Sequence, residues 1–189
     1  MKIGLYFGSF NPIHVGHLII AEFVRNHTDV KQIWFVVSPQ NPFKQQSSLL
    51  NSYQRLHLVK IAIEDNPHLQ ASDVEFKLPT PSYTTDTLVY LEEKYPEHRF
   101  SIILGSDGFL NIKKWKNADI LLSNYSFIIY KRPNYEILNL FNADCLILEA
   151  PLLDISSTYI RKQIKEGKSV KYLLADSVYN EIIKSHYYK

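Results

Sequence analysis

The chain has 189 residues, of which 46% are hydrophobic and 21% charged, as in an ordinary globular protein. A domain of this length buries roughly 70% of the surface that its unfolded chain exposes, so we expect a sizeable core. The formal net charge is +2. General nucleic-acid binders have a larger excess of basic residues, so we expect no nucleic-acid partner. No apolar run reaches the length of a membrane span, and Cys145 is the single cysteine. We therefore expect no membrane partner and a cytoplasmic location.

Short apolar runs rich in β-branched and aromatic residues alternate along the chain with patterns of helical period. The runs predict strands at 2–7, 32–38, 98–104, 125–131 and 145–150, and the patterns predict helices at 17–26, 51–65, 85–95 and 116–122. The runs are nearly continuous in apolar residues, which is typical of parallel strands covered on both faces. The alternation predicts an α/β fold, with a Rossmann-like, open and mainly parallel sheet that has helices on both faces.

After Pro151 the sequence becomes helical throughout, with Gly167 as a helix stop. We predict a single domain over 1–189, with a Rossmann-like core (1–150) and a small C-terminal helical subdomain (151–189). In open sheets of this kind, ligands bind beyond the carboxyl ends of the strands. The candidate site segments are therefore those that follow the predicted strands, namely "GSFNPIHVGH", "PQNPFK", "GSDGF", "KRPN" and "PLLDISST".

The segment "GSFNPIHVGHL" (8–18) connects the first predicted strand to the first predicted helix. His14 and His17 are three residues apart, so near a helix start they share one face, where backbone N–H groups lack partners and the helix dipole favours an anion. Glycines in such a turn let the backbone approach a phosphate closely. Packing histidines and a metal site are the alternatives, although no third metal ligand of suitable spacing stands beside the pair. The candidate phosphate-binding residues of this segment are Gly8, His14, Gly16 and His17.

The segment "DISSTYIRKQIKEG" (154–167) predicts a second helix start. Ser156 or Ser157 would cap this helix, and Thr158 follows within its first turn. Arg161 lies one turn further on, and its donor fork suits a phosphate. Alone, the segment also fits an ordinary capped helix with an exposed arginine. Together with the first motif it favours a triphosphate, because a triphosphate needs more than one helix terminus around it.

Two loop segments offer anion-binding candidates with ordinary alternatives. In "SPQNPFK" (38–44), Lys44 would either reach an anion or lie in a solvated surface loop. In "TPSYTTDTL" (80–88), Thr84 or Thr85 would cap a helix whose free N–H groups could hold a carboxylate.

The segment "GSDGFLNIKKW" (105–115) follows the third predicted strand. Gly105 and Asp107 stand where a ribose-binding carboxylate is expected at the end of such a strand. Trp115 either offers a stacking face to a ring or packs into the core.

In this order, the motifs resemble the nucleotidyltransferase superfamily that has an (H)xGH turn and a late SSTxxR helix start. "GSFNPIHVGH" and "ISSTYIR" carry that likeness, and "PQNPFK", "PSYTTDTL" and "GSDGFLNIKKW" narrow it to bacterial nicotinate-nucleotide adenylyltransferases, over about residues 3–172. The chain departs from the family pattern at Asn11, where the family has an aspartate, and at Lys116, where it often has an aromatic residue beside the tryptophan. At Asn11 we expect a structural cap.

The resemblance implies transfer of AMP from ATP to nicotinate mononucleotide, giving deamido-NAD and pyrophosphate, with Mg²⁺ arriving with ATP. It assigns the catalytic role to His14 and His17, which would hold the ATP phosphates and stabilise charge at the α-phosphorus. Asp107 would bind a ribose, and Trp115 would lie against the pyridine ring. ATP would be bound by Gly8, Ser9, Phe10, His14, Gly16, His17, Gly105, Asp107, Ser156, Ser157, Thr158 and Arg161, and the mononucleotide by Lys44, Tyr83, Thr84 and Trp115.

Other functions remain as alternatives at this point. A related nucleotidyltransferase would use nicotinamide mononucleotide, phosphopantetheine or an alcohol phosphate, and "PSYTTDTL" and "GSDGFLNIKKW" favour a pyridine nucleotide over the last two. A non-catalytic nucleotide-binding module would not need both histidines and the SSTxxR helix start. A homo-oligomer is also compatible with the sequence.

Overall fold

The computed structural model describes residues 1–39, 49–151 and 154–189. It contains the strands β1 (Lys2–Gly8), β2 (Gln32–Val37), β3 (Leu69–Ser72), β4 (Arg99–Gly105), β5 (Ser126–Tyr130) and β6 (Cys145–Leu148). They form one six-stranded sheet in the order β3-β2-β1-β4-β5-β6, and every neighbouring pair is parallel. The predicted Rossmann-like α/β fold is confirmed.

Helices connect the strands and follow the last one. They are α1 (Val15–His27), α2 (Ser52–Ala62), α3 (Thr84–Lys94), α4 (Ser106–Phe109), α5 (Ala118–Asn124), α6 (Ser157–Lys165) and α7 (Asp176–Lys184). Single turns of 3₁₀ helix cover Val74–Lys77, Ile112–Lys114 and Lys171–Leu173. The predicted helices are present, with their ends shifted by one to three residues.

The strand β3 was absent from the sequence prediction. It pairs with β2 from Ile33↔Leu69 to Val36↔Ser72 at one edge of the sheet. Its sequence, Leu-Gln-Ala-Ser, has four residues, of which only the last is buried. Such a strand lacks the run of β-branched and aromatic residues by which buried strands are recognised, because an edge strand buries less of itself.

Apolar side chains cover both faces of the sheet, as predicted. On one face, α1 and α2 pack with α6 and α7, and on the other lie α3 and α5. The helices after Pro151 bury Ile160, Ile164, Val178 and Ile182 in the same cluster as Tyr6 and Phe35 of the sheet.

Gly167 ends α6, as predicted. Its φ is +70°, a left-handed conformation that glycine adopts without steric cost. The N–H of Lys168 donates to the carbonyl of Gln163 at 2.9 Å, and that of Gly167 to Ile164 at 3.0 Å. This is the Schellman pattern of helix termination.

The strand order reverses between β1 and β4, which lie side by side in the middle of the sheet. Chain segments leave these two strands in opposite directions, and the resulting crevice is where open α/β sheets bind ligands. In the described parts of the chain, no helix has the length and apolar character needed to cross a membrane.

Candidate active site

A cleft of about 740 Å³ opens beyond the carboxyl ends of β1, β4 and β5. It is closed on one side by the start of α6. Twelve of the residues assigned to ligands from the sequence line it, namely Gly8, Ser9, Phe10, His14, His17, Gly105, Asp107, Trp115, Ser156, Ser157, Thr158 and Arg161. Gly16 lines a smaller adjoining hollow with His14 and Ile155.

The turn after β1 is shaped by Phe10. This residue has a φ of +42°, which is uncommon for a bulky side chain, and it is only 2% exposed. Its ring stands edge-on to Tyr6 and Phe35. A side chain at Gly8 would meet that ring at 2.8 Å, so the turn requires glycine there.

His14 and His17 face each other at the start of α1. His14 is the N-cap residue of the helix, and the two imidazole rings stack with their centres 3.7 Å apart. The His14 backbone N–H donates to Nδ1 of His17 at 3.3 Å. Because this nitrogen accepts a hydrogen bond, a neutral His17 carries its proton on Nε2, which is then a donor.

His14 is held in its uncharged form. It is 5% exposed, and this burial, together with the nearby Arg132 guanidinium, lowers its pKa from 6.5 to about 4. Its Nδ1 has no hydrogen-bond partner within the described residues. A Cβ at Gly16 would lie 3.0 Å from that nitrogen, so the glycine lets the backbone pack against the ring.

The start of α6 docks directly onto the turn after β1. Ser156 caps the helix by accepting the N–H of Tyr159 at 3.2 Å, as one of the two predicted options. Ser157 instead donates its hydroxyl to the carbonyl of Pro12 at 2.9 Å, across 145 residues of sequence. Arg161 donates from Nη1 to the carbonyl of Asn11 at 2.8 Å. These bonds keep the two helix starts side by side.

Asn11 is not a helix cap, so that expectation is wrong. His14 occupies the N-cap of α1, since the turn places Asn11 three residues ahead of it. Asn11 is 4% exposed, and its Oδ1 accepts the N–H of Leu50 at 3.2 Å and the hydroxyl of Tyr188 at 2.9 Å. The amide therefore joins distant segments to the turn.

Asp107 lies at the start of the short helix α4, directly after β4. Its Oδ2 is 3.3 Å from Nη1 of Arg132. A Cβ at Gly105 would lie too close to Asp107 Oδ1 and 3.0 Å from Arg132 Cδ, so the paired side chains would have to shift to admit it. Arg132 itself was not assigned from the sequence, although its segment "KRPN" was among those that follow strands.

Arg55 of α2 is a second residue that the sequence analysis missed. It is fully buried, and its guanidinium donates to the carbonyls of Ser9, Ser38, Pro39 and Leu50 at 2.5 to 3.0 Å. Burial lowers its pKa from 12.5 to about 10, so it remains cationic at neutral pH. It ties the turn after β1 to the segment after β2.

The residues assigned to the mononucleotide are only partly brought together. Trp115 is partly buried and lines the cleft. Tyr83 and Thr84 lie at the start of α3 and are not part of the cleft lining. Lys44 lies outside the described residues.

The predicted threonine cap of α3 is wrong. The helix begins one residue earlier than expected, with Tyr83 as N-cap and no side-chain capping bond. Thr85 is buried and donates to the carbonyl of Lys116 at 3.1 Å. The Lys116 ammonium lies 4.3 Å from the centre of the Tyr83 ring and 3.1 Å from Oδ2 of Asp86. These contacts hold the segment that follows Trp115 against the start of α3.

Comparison with known proteins agrees with this architecture. The Cytidylyltransferase-like family profile matches residues 5–163. Two curated relatives, each named "Probable nicotinate-nucleotide adenylyltransferase", come from Flavobacterium psychrophilum and Cytophaga hutchinsonii. The first is 47% identical over 192 residues, covering 100% of both chains. The second is 49% identical over 191 residues, covering 100% of this chain and 98% of its own.

Solved structures give the same fold. Plasmodium falciparum nicotinic acid mononucleotide adenylyltransferase complexed with NaAD matches with a TM-score of 0.84 at 24% identity, covering 99% of this chain and 97% of that one. The same enzyme complexed with APC has a TM-score of 0.82 at 24% identity, with coverage of 99% and 96%. From the family profile and the full-length relatives together, the chain belongs to the cytidylyltransferase-like nucleotidyltransferases and, among them, to the nicotinate-nucleotide adenylyltransferases.

Proposed function

We propose that the chain transfers AMP from ATP to nicotinate mononucleotide and releases deamido-NAD and pyrophosphate. The observation that carries this proposal is the joining of two helix starts in one cleft. Ser157 and Arg161 bond to the carbonyls of Pro12 and Asn11, so the SSTxxR segment stands beside the pair of histidines. The starts of two helices and an arginine form a site suited to a triphosphate. The activity in the names of the full-length relatives agrees with it.

The reaction needs no covalent enzyme intermediate. An oxygen of the mononucleotide's 5′-phosphate attacks the α-phosphorus of ATP, and the bond from that phosphorus to the bridging oxygen of the β-phosphate breaks. Pyrophosphate leaves from the opposite side. Such a transfer depends mainly on positioning and on stabilising charge. The thiol of Cys145 is unsuited as a nucleophile, because burial raises its pKa to about 11.

The histidines would act at the α-phosphate. His17, with its Nδ1 occupied by the His14 N–H, presents Nε2–H as a donor to a phosphate oxygen. His14 is uncharged in the free protein and would gain affinity for a proton when a phosphate enters. Each hydrogen bond to a charged oxygen contributes about 1.5–3 kcal/mol. Ser156, Thr158 and Arg161 would hold the β- and γ-phosphates.

A magnesium ion would enter as part of the ATP substrate. Within the described residues, no group of three or more His, Cys, Asp or Glu side chains could hold a metal ion. Asp107, the cleft's carboxylate, is already paired with Arg132. This donor set fits an ion whose ligands are phosphate oxygens and water, as is usual for Mg²⁺ with nucleotides. When bound, the ion neutralises phosphate charge.

The mononucleotide would occupy the end of the cleft near Trp115. Its pyridine ring would lie against the indole, and its carboxylate would meet the N–H groups at Tyr83 and Thr84, where α3 begins. Lys116, which lies over the Tyr83 ring and pairs with Asp86, holds the segment after Trp115 at this helix start. Asp107 would bind a ribose.

The single thiol of the chain is in keeping with a cytoplasmic location.

The test measures pyrophosphate release from ATP with nicotinate mononucleotide, nicotinamide mononucleotide and phosphopantetheine in parallel. We expect the first to be used most efficiently. Release only with phosphopantetheine would identify a different nucleotidyltransferase, and no release with any acceptor would favour a binding module.

The role of His17 is tested with His17→Ala. We expect kcat to fall by about 10²–10³-fold, as for the loss of one transition-state donor, with an unchanged circular dichroism spectrum. His57→Ala is the matched control, because His57 is exposed on α2. Near-normal turnover in His17→Ala would contradict the assigned role.

A further inference from the structure

Beyond α7, the chain turns back onto the nucleotide cleft. The hydroxyl of Tyr188 donates to Oδ1 of Asn11 at 2.9 Å, across 177 residues of sequence. His186 and Tyr188 have left-handed φ values of 54° and 66°, and the N–H of Tyr187 bonds to the carbonyl of Ile182 at 3.1 Å. This tight reversal directs the Tyr188 side chain toward the turn after β1.

Asn11 is the point at which several parts of the site meet. Its Oδ1 also accepts the N–H of Leu50 at 3.2 Å, and its backbone carbonyl accepts Nη1 of Arg161 at 2.8 Å. Any displacement of Asn11 therefore changes the anchor of the Arg161 guanidinium. Since Asn11 lines the cleft and Tyr188 does not, the tyrosine acts from behind the turn.

The surroundings of Tyr188 favour a neutral donor. Its ring is partly buried, and burial raises the pKa of the hydroxyl, against the opposing effect of the Arg161 and Arg55 guanidinium groups nearby. The hydroxyl therefore keeps its proton over the whole working range of pH. Its hydrogen bond to Asn11 persists over that range.

We propose that Tyr188 is a positioning residue for ATP. Through Asn11 its hydroxyl holds the turn after β1 and the Arg161 guanidinium in the arrangement that receives the triphosphate. The inference rests on the proposed function only in taking ATP as the ligand of this cleft. It makes no demand on which mononucleotide is the acceptor.

The test removes one oxygen atom. In Tyr188→Phe we expect the KM for ATP, and the Kd for a non-hydrolysable methylene analogue of ATP, to rise about fivefold, as for one net hydrogen bond. The kcat and the KM for nicotinate mononucleotide should stay within about twofold of wild type, because Arg161, which Asn11 anchors, holds the β- and γ-phosphates and not the α-phosphorus. Tyr187→Phe is the matched control, since the Tyr187 hydroxyl has no hydrogen bond within the described residues.

A double-mutant cycle tests the route through Asn11. In an Asn11→Ala background, Tyr188→Phe should cause no further rise in the Kd for the ATP analogue, because its acceptor is already gone. Losses that add independently would show that Tyr188 does not act through Asn11.

Two other outcomes separate this inference from the proposed function. Lower thermal stability of Tyr188→Phe with unchanged ATP binding would make the bond merely structural and overturn the inference. Failure of the wild-type protein to bind the ATP analogue would instead overturn the proposed function. Measurement of binding alongside turnover distinguishes the two.

Discussion

His14 illustrates how burial of one residue couples the site to pH. An unfolded chain would bind a proton at this histidine with a pKa near 6.5, whereas the folded protein does so only at about 4. Below pH 6.5 the unfolded state therefore binds more protons than the folded state, and the free energy of unfolding falls as the pH is lowered toward 4. The contribution of this histidine to stability is fully present above pH 6.5.

This argument predicts the pH dependence of stability in the absence of ligand. Between pH 7 and pH 4.5, the free energy of unfolding of wild type should fall by about 2 kcal/mol more than that of His14→Gln. Urea unfolding at both pH values measures the difference. His57→Ala should retain the wild-type dependence, and equal slopes for wild type and His14→Gln would show that His14 is not buried in its neutral form.

For single residues, the sequence predicted the location of a side chain wherever the end of a strand or the start of a helix determined it. The rule that ligands lie beyond the carboxyl ends of parallel strands predicted a common location for His14, Asp107 and Arg161, and the structure brings these three residues to one cleft. The same rule does not predict the hydrogen-bond partner of Asn11. Tyr188 lies 177 residues away, and a hydrogen bond over that separation leaves no local pattern.

Among the elements, α2 has a helical periodicity that places a charged residue on its buried face. Arg55, Leu58 and Val59 stand at i, i+3 and i+4, and all three are buried. A charged residue on the apolar face of a helix must find partners in the interior. Here the partners are backbone carbonyls, which no side-chain pattern could have predicted.

Arg55 should therefore matter far more to stability than an exposed arginine. In Arg55→Met, buried carbonyls lose their donors, and we expect the free energy of unfolding to fall by about 3 kcal/mol or more. Arg55→Lys keeps the charge with fewer donors and should lose less. Urea unfolding measures both variants, with the exposed Arg99→Met as the control. A loss in Arg55→Met no greater than in Arg99→Met would rule out this role.

The errors in the predicted elements have a common physical cause. β3 and the first turn of α3 owe their conformation to partners elsewhere in the molecule, namely the edge of β2 and the carbonyl of Lys116. Long apolar runs such as β2 and β4 can be recognised as strands from their own sequence, because a nearly continuous apolar run is typical of a strand covered on both faces. Short polar segments take the conformation that their neighbours impose.

For the molecule as a whole, the helices after Pro151 are built into the main core. Ile160 and Ile182 belong to the same buried cluster as Tyr6 and Phe35, and Ser177 donates to the carbonyl of Ile61 at 2.7 Å. A segment that shares its core with the sheet has no apolar interior of its own. We therefore keep the prediction of one domain.

That prediction implies one cooperative unfolding transition. Urea curves followed by far-UV circular dichroism, which reports all helices, and by the fluorescence of Trp34 in a Trp115→Phe variant should coincide. Trp34 lies in the cluster on the opposite face from α6 and α7, so its emission is insensitive to the tail alone. Loss of helical signal at lower urea than the fluorescence change would reveal an independently unfolding tail.

The strand order also determines when the site comes into existence as the chain is synthesised. The half containing β3, β2 and β1 is continuous in sequence, and so is the half containing β4, β5 and β6. Because domains emerge from the ribosome N-terminal part first, the first half can pair while the second is still being translated. The cleft lies on the seam between the halves and under α6. A nascent chain can therefore acquire half of its sheet long before it can hold a nucleotide, and binding is among the last properties it gains.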